Sequence, residues 1–221
     1  MTPMVRIHFE QALVNLSEDV LALGSRVRRE AAAGLQSFLE KDLDLAAEVI
    51  AGDTLTNELR YRIEKRCYAL LATEQPVASD LRTIVAVLSI AGELERIGDH
   101  GKRIAGLGRR MTVDAQPVPT EGLRQMGQAS FAMVDRSLQA FSRRDGALAR
   151  EVCAADDYVD GLYKQTFNLT LSHMLENPRA IGSGTYVIQV AHELERVADR
   201  ATNIAERVIY IQTGDLIDLN V

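Results

Sequence analysis

The chain has 221 residues with 25 Lys and Arg against 31 Asp and Glu, which gives a formal net charge of −6. This acidic balance argues against nucleic acid as the main partner, because a phosphate backbone favours a basic protein face. Aromatic residues make up only 5% of the chain and Trp is absent, which favours an all-α fold over a β-sandwich or barrel.

The cysteine and hydropathy patterns exclude several further classes. Cys67 and Cys153 form no CxxC motif, so neither a disulfide framework nor a thiolate zinc site is indicated, and both are expected to be buried. Glu10 interrupts what would be the apolar core of a signal peptide. The longest apolar run, residues 83–92, covers about half of the ~20 residues needed to cross a bilayer. We therefore expect a cytoplasmic protein.

Turn residues and prolines divide the first half into three predicted helices, over about residues 5–40, 42–73 and 76–110. Asp42 is the expected N-cap of the second helix. Pro76 ends that helix, because proline disfavours helix at the residue before it and is tolerated in the first turn of the next helix.

Residues 111–120 contain Pro117 and Pro119 without helical periodicity and are predicted to link the halves. The second half repeats the plan, with helices expected over about residues 121–143 and 145–177, and a last helix extending to about 213. The glycines at 182 and 184 are expected to delay or distort the start of that last helix. Its apolar residues recur at spacings of three and four from Val187 to Ile211, which predicts a buried seam.

The halves are related by an internal duplication. The segment Glu-Leu-Glu-Arg-Ile-Gly-Asp at 93–99 recurs as Glu-Leu-Glu-Arg-Val-Ala-Asp at 193–199. With short turns between long helices, this repeat predicts two tandem antiparallel three-helix bundles, over residues 1–112 and 118–221, each folding as a unit.

Pairs of acids spaced by four residues lie off the apolar seams and converge between neighbouring helices. Folding each hairpin about its turn brings the acids of the two helices to the same height. The first acidic cluster is defined as Asp53, Glu95 and Asp99. The second acidic cluster is defined as Asp156, Asp160, Glu195 and Asp199.

Carboxylates this close repel one another and need a cation, supplied either by arginines or by a metal ion. Oxygen ligands without His or Cys favour hard ions such as Mg²⁺, Mn²⁺ or iron, and Asn203 could add an amide oxygen. The first cluster offers fewer carboxylates to a metal ion, because Asn57 replaces an acid there and Arg103 is expected to pair with Asp99. A solvated charged helix face is the alternative interpretation.

Other chemistry is disfavoured by what the sequence lacks. No histidine follows a Glu at the spacing of a di-iron helix motif, and no zincin, phosphate-loop or Gly-x-Ser-x-Gly motif is present. His100 and His192 are expected to be ordinary surface or boundary residues.

Four stretches of the chain carry a resemblance to a known family. They are the motif repeated at 93–99 and 193–199, the segment at 199–206, the Gln-Pro-Val-Ala-x-Asp-Leu-Arg entry to the third helix at 75–82, and the segment at 156–163. Together they resemble the PhoU family of phosphate-transport accessory proteins. The resemblance spans essentially the whole chain. It implies a non-enzymatic cytoplasmic regulator that restrains phosphate uptake, acting between a phosphate ABC transporter and a sensor histidine kinase, peripheral to the membrane through these partners and homodimeric.

Members of that family carry Glu/Asp-x-x-x-Asp motifs that hold metal clusters on the bundle surface. The resemblance implies iron, manganese, magnesium or zinc at the second acidic cluster with Asn203, and also at the first acidic cluster, where Asn57 and Arg103 depart from the acid and the Asn of the family pattern. The alternative is a metal-dependent hydrolase or oxidase that uses the acidic clusters for catalysis.

Overall fold

The structure, a computed structural model, describes residues 3–111 and 116–216, with side chains from residue 7 onward. Over these residues it is all-α, without strands, and forms two tandem antiparallel three-helix bundles, as the sequence predicts. The first half contains α1, α2 and α3, and the second contains α4, a helix pair α5 and α6, and α7. Their bounds are Pro3–Glu40, Leu43–Glu74, Ala78–Arg110, Glu121–Arg143, Gly146–Ala154, Asp156–Glu176 and Ile181–Thr213.

Several helix ends lie where the sequence places them. Asp42 caps α2 by accepting a hydrogen bond from the Leu45 backbone N–H at 2.9 Å. Gln75 ends the same helix in the left-handed conformation, with φ of 48°. Residues 111 and 116–120 are non-helical and connect α3 to α4, while the rest of the predicted link, residues 112–115, lies outside the described residues.

Two expectations about the second half were wrong. The helix predicted over 145–177 is divided at Ala155, so that Asp156 and Asp157 occupy the first turn of a new helix. The last helix is not delayed by its glycines. It begins at Ile181, directly after the single turn Pro178–Ala180, and Ser183 anchors this end by donating a hydrogen bond to the Gln116 carbonyl at 2.7 Å.

The predicted apolar seams form the core. The seam of α7 is fully buried from Val187 to Ile211, and so are the seam residues of α3 from Val87 to Ile104. Each such aliphatic side chain stabilises the fold by about 1.5 to 3 kcal/mol. The main cluster of buried residues runs through both halves, because α3 and α7 pack against each other at the centre. The division into folding units at 1–112 and 118–221 stays a prediction.

Glycine is required where α1 crosses α3. A Cβ on Gly101 would lie 2.6 Å from the Ala31 Cα, and a Cβ on Gly34 would overlap the Gly101 carbonyl. The two backbones therefore touch without intervening side chains, which fixes the height of the first acidic cluster on α3 relative to α1. Both cysteines are buried thiols, as expected. None of the helices in the described ranges combines the length and apolar character that a membrane span needs.

Gly101→Ala is expected to lower the free energy of unfolding by about 1 to 3 kcal/mol, because the added methyl group meets backbone that cannot move aside. Urea denaturation of the full chain measures this. Gly106→Ala in the same helix is the control, since a Cβ there meets nothing within 4 Å. That change should raise the stability by roughly 0.5 to 1 kcal/mol. Equal losses in the two variants would contradict the close-approach argument.

Candidate metal site and the contact between the halves

The first acid of each repeated motif binds the opposite half of the molecule. The Glu93 carboxylate, on α3, accepts hydrogen bonds from Arg200 at 3.2 Å and from the Asn203 amide at 3.1 Å, both on α7. Its side chain is only 14% exposed, so these partners replace most of its hydration.

Glu193 makes the corresponding contact in the reverse direction. Its carboxylate lies 2.6 Å from the His100 Nδ1 and 3.6 Å from Arg103, both on α3. Because a carboxylate of this kind accepts only, the His100 Nδ1 donates. His100 and Arg103 are the repeat equivalents of Arg200 and Asn203, so the two contacts are related by a pseudo-two-fold axis.

His100 is therefore not a surface histidine, since it is only 6% exposed at the centre of the molecule. Burial acts to raise the pKa of Glu193, but the hydrogen bond from His100 and the charges of His100, Arg103 and His192 bring that pKa below its ordinary value. The stabilisation is present above the ordinary pKa and is lost as the pH falls through the lower folded value.

Sequence reasoning missed Glu93 and Glu193, although both open the repeated motif. The spacing of four drew attention to the second and third acids, which lie on one helix face. The signal that identifies the first acids is the repeat itself: each has a hydrogen-bond donor seven residues further along, at His100 and Arg200. In an antiparallel packing of equivalent helices, such positions meet across the symmetry axis.

The structure brings the second acidic cluster together at the junction of α6 and α7. Burial raises the pKa of Asp156 to about 7, helped by the charges of Asp199, Asp160, Asp157 and Glu195 in that order. Such mutual influence requires the carboxylates to be neighbours.

Glu195 is the most constrained acid of the cluster. Its Oε2 is buried and accepts no hydrogen bond, although the His192 Nδ1 lies 3.1 Å away, within ion-pair distance but without hydrogen-bond geometry. Burial first, and the charge of Asp199 second, raise the pKa of this carboxyl. Arg196 stands at the edge, 3.6 Å from Asp199.

The donor set of the second cluster is not yet arranged as a coordination sphere. Across residues 7–111 and 116–216, no three His, Cys, Asp or Glu side chains are placed so that they could hold one ion. Asn203 directs its amide nitrogen to Glu93, so its role as an oxygen ligand stays a prediction. Metal binding by the second cluster therefore requires side-chain rotation toward a common point.

Two cations of the chain itself lie beside the first acidic cluster. Lys102 lies 2.6 Å from Asp53, and Arg60 lies 3.3 Å from Glu95. The Asn57 amide donates a further hydrogen bond to Asp53 at 3.3 Å. The hydrogen bond to Asp53 raises the pKa of Lys102 despite partial burial, and the charges of Asp53 and Asp99 act in the same direction.

The cation expected beside Asp99 was thus misassigned. Arg103 contacts Glu193 of the other half, and the positive charge near Asp99 is that of Lys102. The reason is that Arg103 is the repeat equivalent of Asn203, and both residues contact a glutamate of the other half across the pseudo-two-fold axis. At the equivalent positions the second half has Thr202 for Lys102 and Tyr163 for Arg60, so it lacks both neutralising charges.

Comparisons with known proteins agree with this architecture. The family model described as PhoU domain matches residues 20–107 and again residues 123–208. The phosphate-specific transport system accessory protein PhoU homolog of Clostridium acetobutylicum is 34% identical over 98% of this chain and 100% of that protein. The homolog of the same description in Streptococcus pneumoniae is 33% identical, over 98% and 100%.

Two solved structures are also similar along nearly their whole length. The crystal structure of the phosphate transport system regulatory protein PhoU from Streptococcus pneumoniae matches with a TM-score of 0.87 and 32% identity, covering 95% of this chain and 99% of that one. The crystal structure of PhoU from Pseudomonas aeruginosa matches with a TM-score of 0.89 and 33% identity, covering 94% and 100%.

Asp156→Asn is expected to stabilise the metal-free protein above pH 7 by about 1 to 2 kcal/mol, after allowing for solvent screening of this half-buried group. The ordinary pKa of 3.8 is raised to about 7 by folding, so ionised Asp156 destabilises the fold above the raised value. The penalty disappears as the pH falls below the ordinary value. Urea denaturation in chelator at several pH values measures it.

The neighbouring exposed acid provides the control for this measurement. Asp157→Asn removes one charge from the same turn of α6, but from a solvated position, and should change the stability much less. A destabilising effect of Asp156→Asn at alkaline pH would show that the carboxylate makes a favourable contact and would contradict the electrostatic account.

Proposed function

The chain belongs to the PhoU family, and we propose that it is an accessory protein of a phosphate transport system that restrains phosphate uptake and phosphate-starvation signalling. The observation that carries this proposal is full-length similarity to relatives named accessory or regulatory proteins of phosphate transport. The adaptor role is favoured over the alternative of a metal-dependent hydrolase or oxidase, because those names describe regulation and no finding supports catalysis.

An adaptor acts through surfaces that it presents to partners, and the chain has apolar side chains exposed at both hairpin ends. Val77 is 73% exposed at the α2–α3 end, and Leu175 is 75% exposed at the α6–α7 end. Because α3 and α7 run antiparallel, these ends lie at opposite ends of the molecule. These two ends are the proposed contact surfaces. The proposed partners are a phosphate ABC transporter and a sensor histidine kinase at the cytoplasmic side of a membrane, with homodimers as the acting form.

The second acidic cluster is the proposed metal site. Its four carboxylates and the unbonded Glu195 oxygen match the donor chemistry of a hard divalent or iron ion, which would neutralise their repulsion when bound. The first cluster is proposed to bind metal more weakly, because Lys102 and Arg60 already supply its positive charge. Iron, manganese, magnesium and zinc are the candidate ions.

Replacing both Glu195 and Asp199 with Ala should remove most of the metal that the purified full chain takes up, because it deletes half of the four-carboxylate donor set. The matched double change at Glu95 and Asp99 should remove little. Equilibrium dialysis against each candidate ion, followed by elemental analysis, measures the bound metal. If both double variants retain the uptake of the unmodified chain, the acids are surface charge and the metal proposal fails.

Lys102→Thr tests the explanation for the difference between the clusters. It gives the first half the residue found at the equivalent position of the second half, and it frees Asp53 of its counter-charge. Metal uptake should therefore increase in this variant and return to its starting level when Glu95 and Asp99 are also replaced.

The regulatory role is tested by deleting the gene in its host. Phosphate-starvation genes should then stay active and phosphate uptake should stay high in phosphate-rich medium, and the intact gene should reverse both effects. Reporter expression and uptake of labelled phosphate are the measurements. Normal repression in the deletion strain would contradict the proposed role, and turnover of a phosphorylated substrate by the purified protein would favour the enzyme alternative.

A further inference from the structure

A cavity of about 830 Å³ opens between the two halves, on the side of α3 and α7 that faces α2 and α6. Its volume falls in the range of about 300 to 1,000 Å³ that is usual for small-molecule sites. The acids proposed to bind metal line it only at Asp99, so the cavity is a separate feature of the molecule. All four of these helices contribute side chains, and the cavity exists only when the halves are joined.

One wall of the cavity carries three cations, Lys102, Arg103 and Arg110, and one carboxylate, Asp99, all from α3. The first is paired with Asp53 and the second with Glu193, whereas Arg110 has no ion-pair partner among the residues that the structure describes. An anionic ligand group placed at this part of the wall would meet the Arg110 guanidinium favourably.

The rest of the cavity lining is largely aromatic and apolar. The rings of Tyr163 and His192 stand next to each other, with centroids 6.2 Å apart and planes inclined by 50°. Ile50, Leu107 and Ile188 complete the apolar lining. A flat ligand ring placed here would cover apolar surface and stack on an aromatic side chain, which contributes about 0.5 to 1.5 kcal/mol beyond the area buried.

Gly106 keeps this space open. It lies inside α3, where glycine costs about 1 kcal/mol relative to Ala, and a Cβ there would meet nothing within 4 Å. Gly108, two residues further, is different, since a Cβ there would lie 3.3 Å from the Phe38 Cα. Packing within the chain does not require the glycine at 106, but a side chain at this position would occupy the cavity.

We propose that the cavity between the halves binds a nucleoside phosphate, with its base against Tyr163 and His192 and its phosphates at Arg103 and Arg110. Gln189 offers both a donor and an acceptor to the edge of the base. Inorganic phosphate alone would leave the apolar wall uncovered, and a purely apolar ligand would leave Arg110 without a counter-charge. This inference does not depend on the proposed role in phosphate regulation.

Isothermal titration of the purified full chain with AMP, ADP, ATP and the matching guanosine nucleotides tests the proposal. Chelator is present throughout, so that no metal ion bridges phosphate to the acidic clusters. At least one nucleotide should bind at least about tenfold more tightly than its nucleoside and than inorganic phosphate, because only the nucleotide engages both walls.

Gly106→Leu should weaken this binding by at least about tenfold, since the side chain fills the cavity without meeting protein atoms. Gly92→Leu is the matched control, because it lies in the same helix with open space around its Cβ but outside the cavity lining.

Arg110→Gln should weaken binding more for triphosphates than for monophosphates. Tyr163→Leu should weaken all nucleotides alike. Circular dichroism and thermal unfolding establish that each variant is folded.

Three results would overturn the proposal. One is the absence of binding by every nucleotide up to about 1 mM. Another is equal binding by nucleotides and inorganic phosphate, which would reduce the site to an anion contact at the arginines. The third is full nucleotide affinity in folded Gly106→Leu, which would place the nucleotide elsewhere on the protein. All three leave the phosphate-regulation proposal untouched, because its readout is gene expression and uptake in the host.

Discussion

The structure depends on the reciprocal pairing of two partly buried glutamates across the centre of the molecule. Glu93 is bound by Arg200, and Glu193 by His100. A carboxylate that stays partly desolvated without a partner is unfavourable, so a packing of the halves that moves either glutamate away from its partner is disfavoured. Because the contacts occur at a fixed distance from the symmetry axis, they set the register of α3 against α7, while the apolar seams supply most of the stabilisation.

Equivalent positions of the duplicated chain have different chemistry, although the two halves share the same backbone arrangement. The first acidic cluster has its own cations at Lys102 and Arg60, which pair with Asp53 and Glu95. The second has Thr202 and Tyr163 at those positions and lacks these two cations, and burial together with the charges of its neighbouring carboxylates raises the pKa of Asp156. The same backbone therefore presents one satisfied cluster and one that gains from a bound cation.

Periodicity and turn chemistry predict most of the helices and both apolar seams, because these are properties of neighbouring residues. The break at Ala155 was missed, since the residues on either side are all compatible with helix. The burial of His100 was missed for a different reason. The way in which two bundles pack depends on residues one hundred positions apart, and their pairing is visible in sequence only after the pseudo-symmetry is applied.

Arg103 connects the central contact to the cavity between the halves. It lies 3.6 Å from the Glu193 carboxylate and also lines the cationic wall. An anion in the cavity therefore competes with Glu193 for the same guanidinium, and Glu193 is left with the closer hydrogen bond from His100. Ligand binding and the contact between the halves then share one free-energy term, and linkage requires that each alters the other by the same amount. A ligand in this position would act on the packing of α3 against α7, the feature that determines how the two hairpin ends are presented to partners.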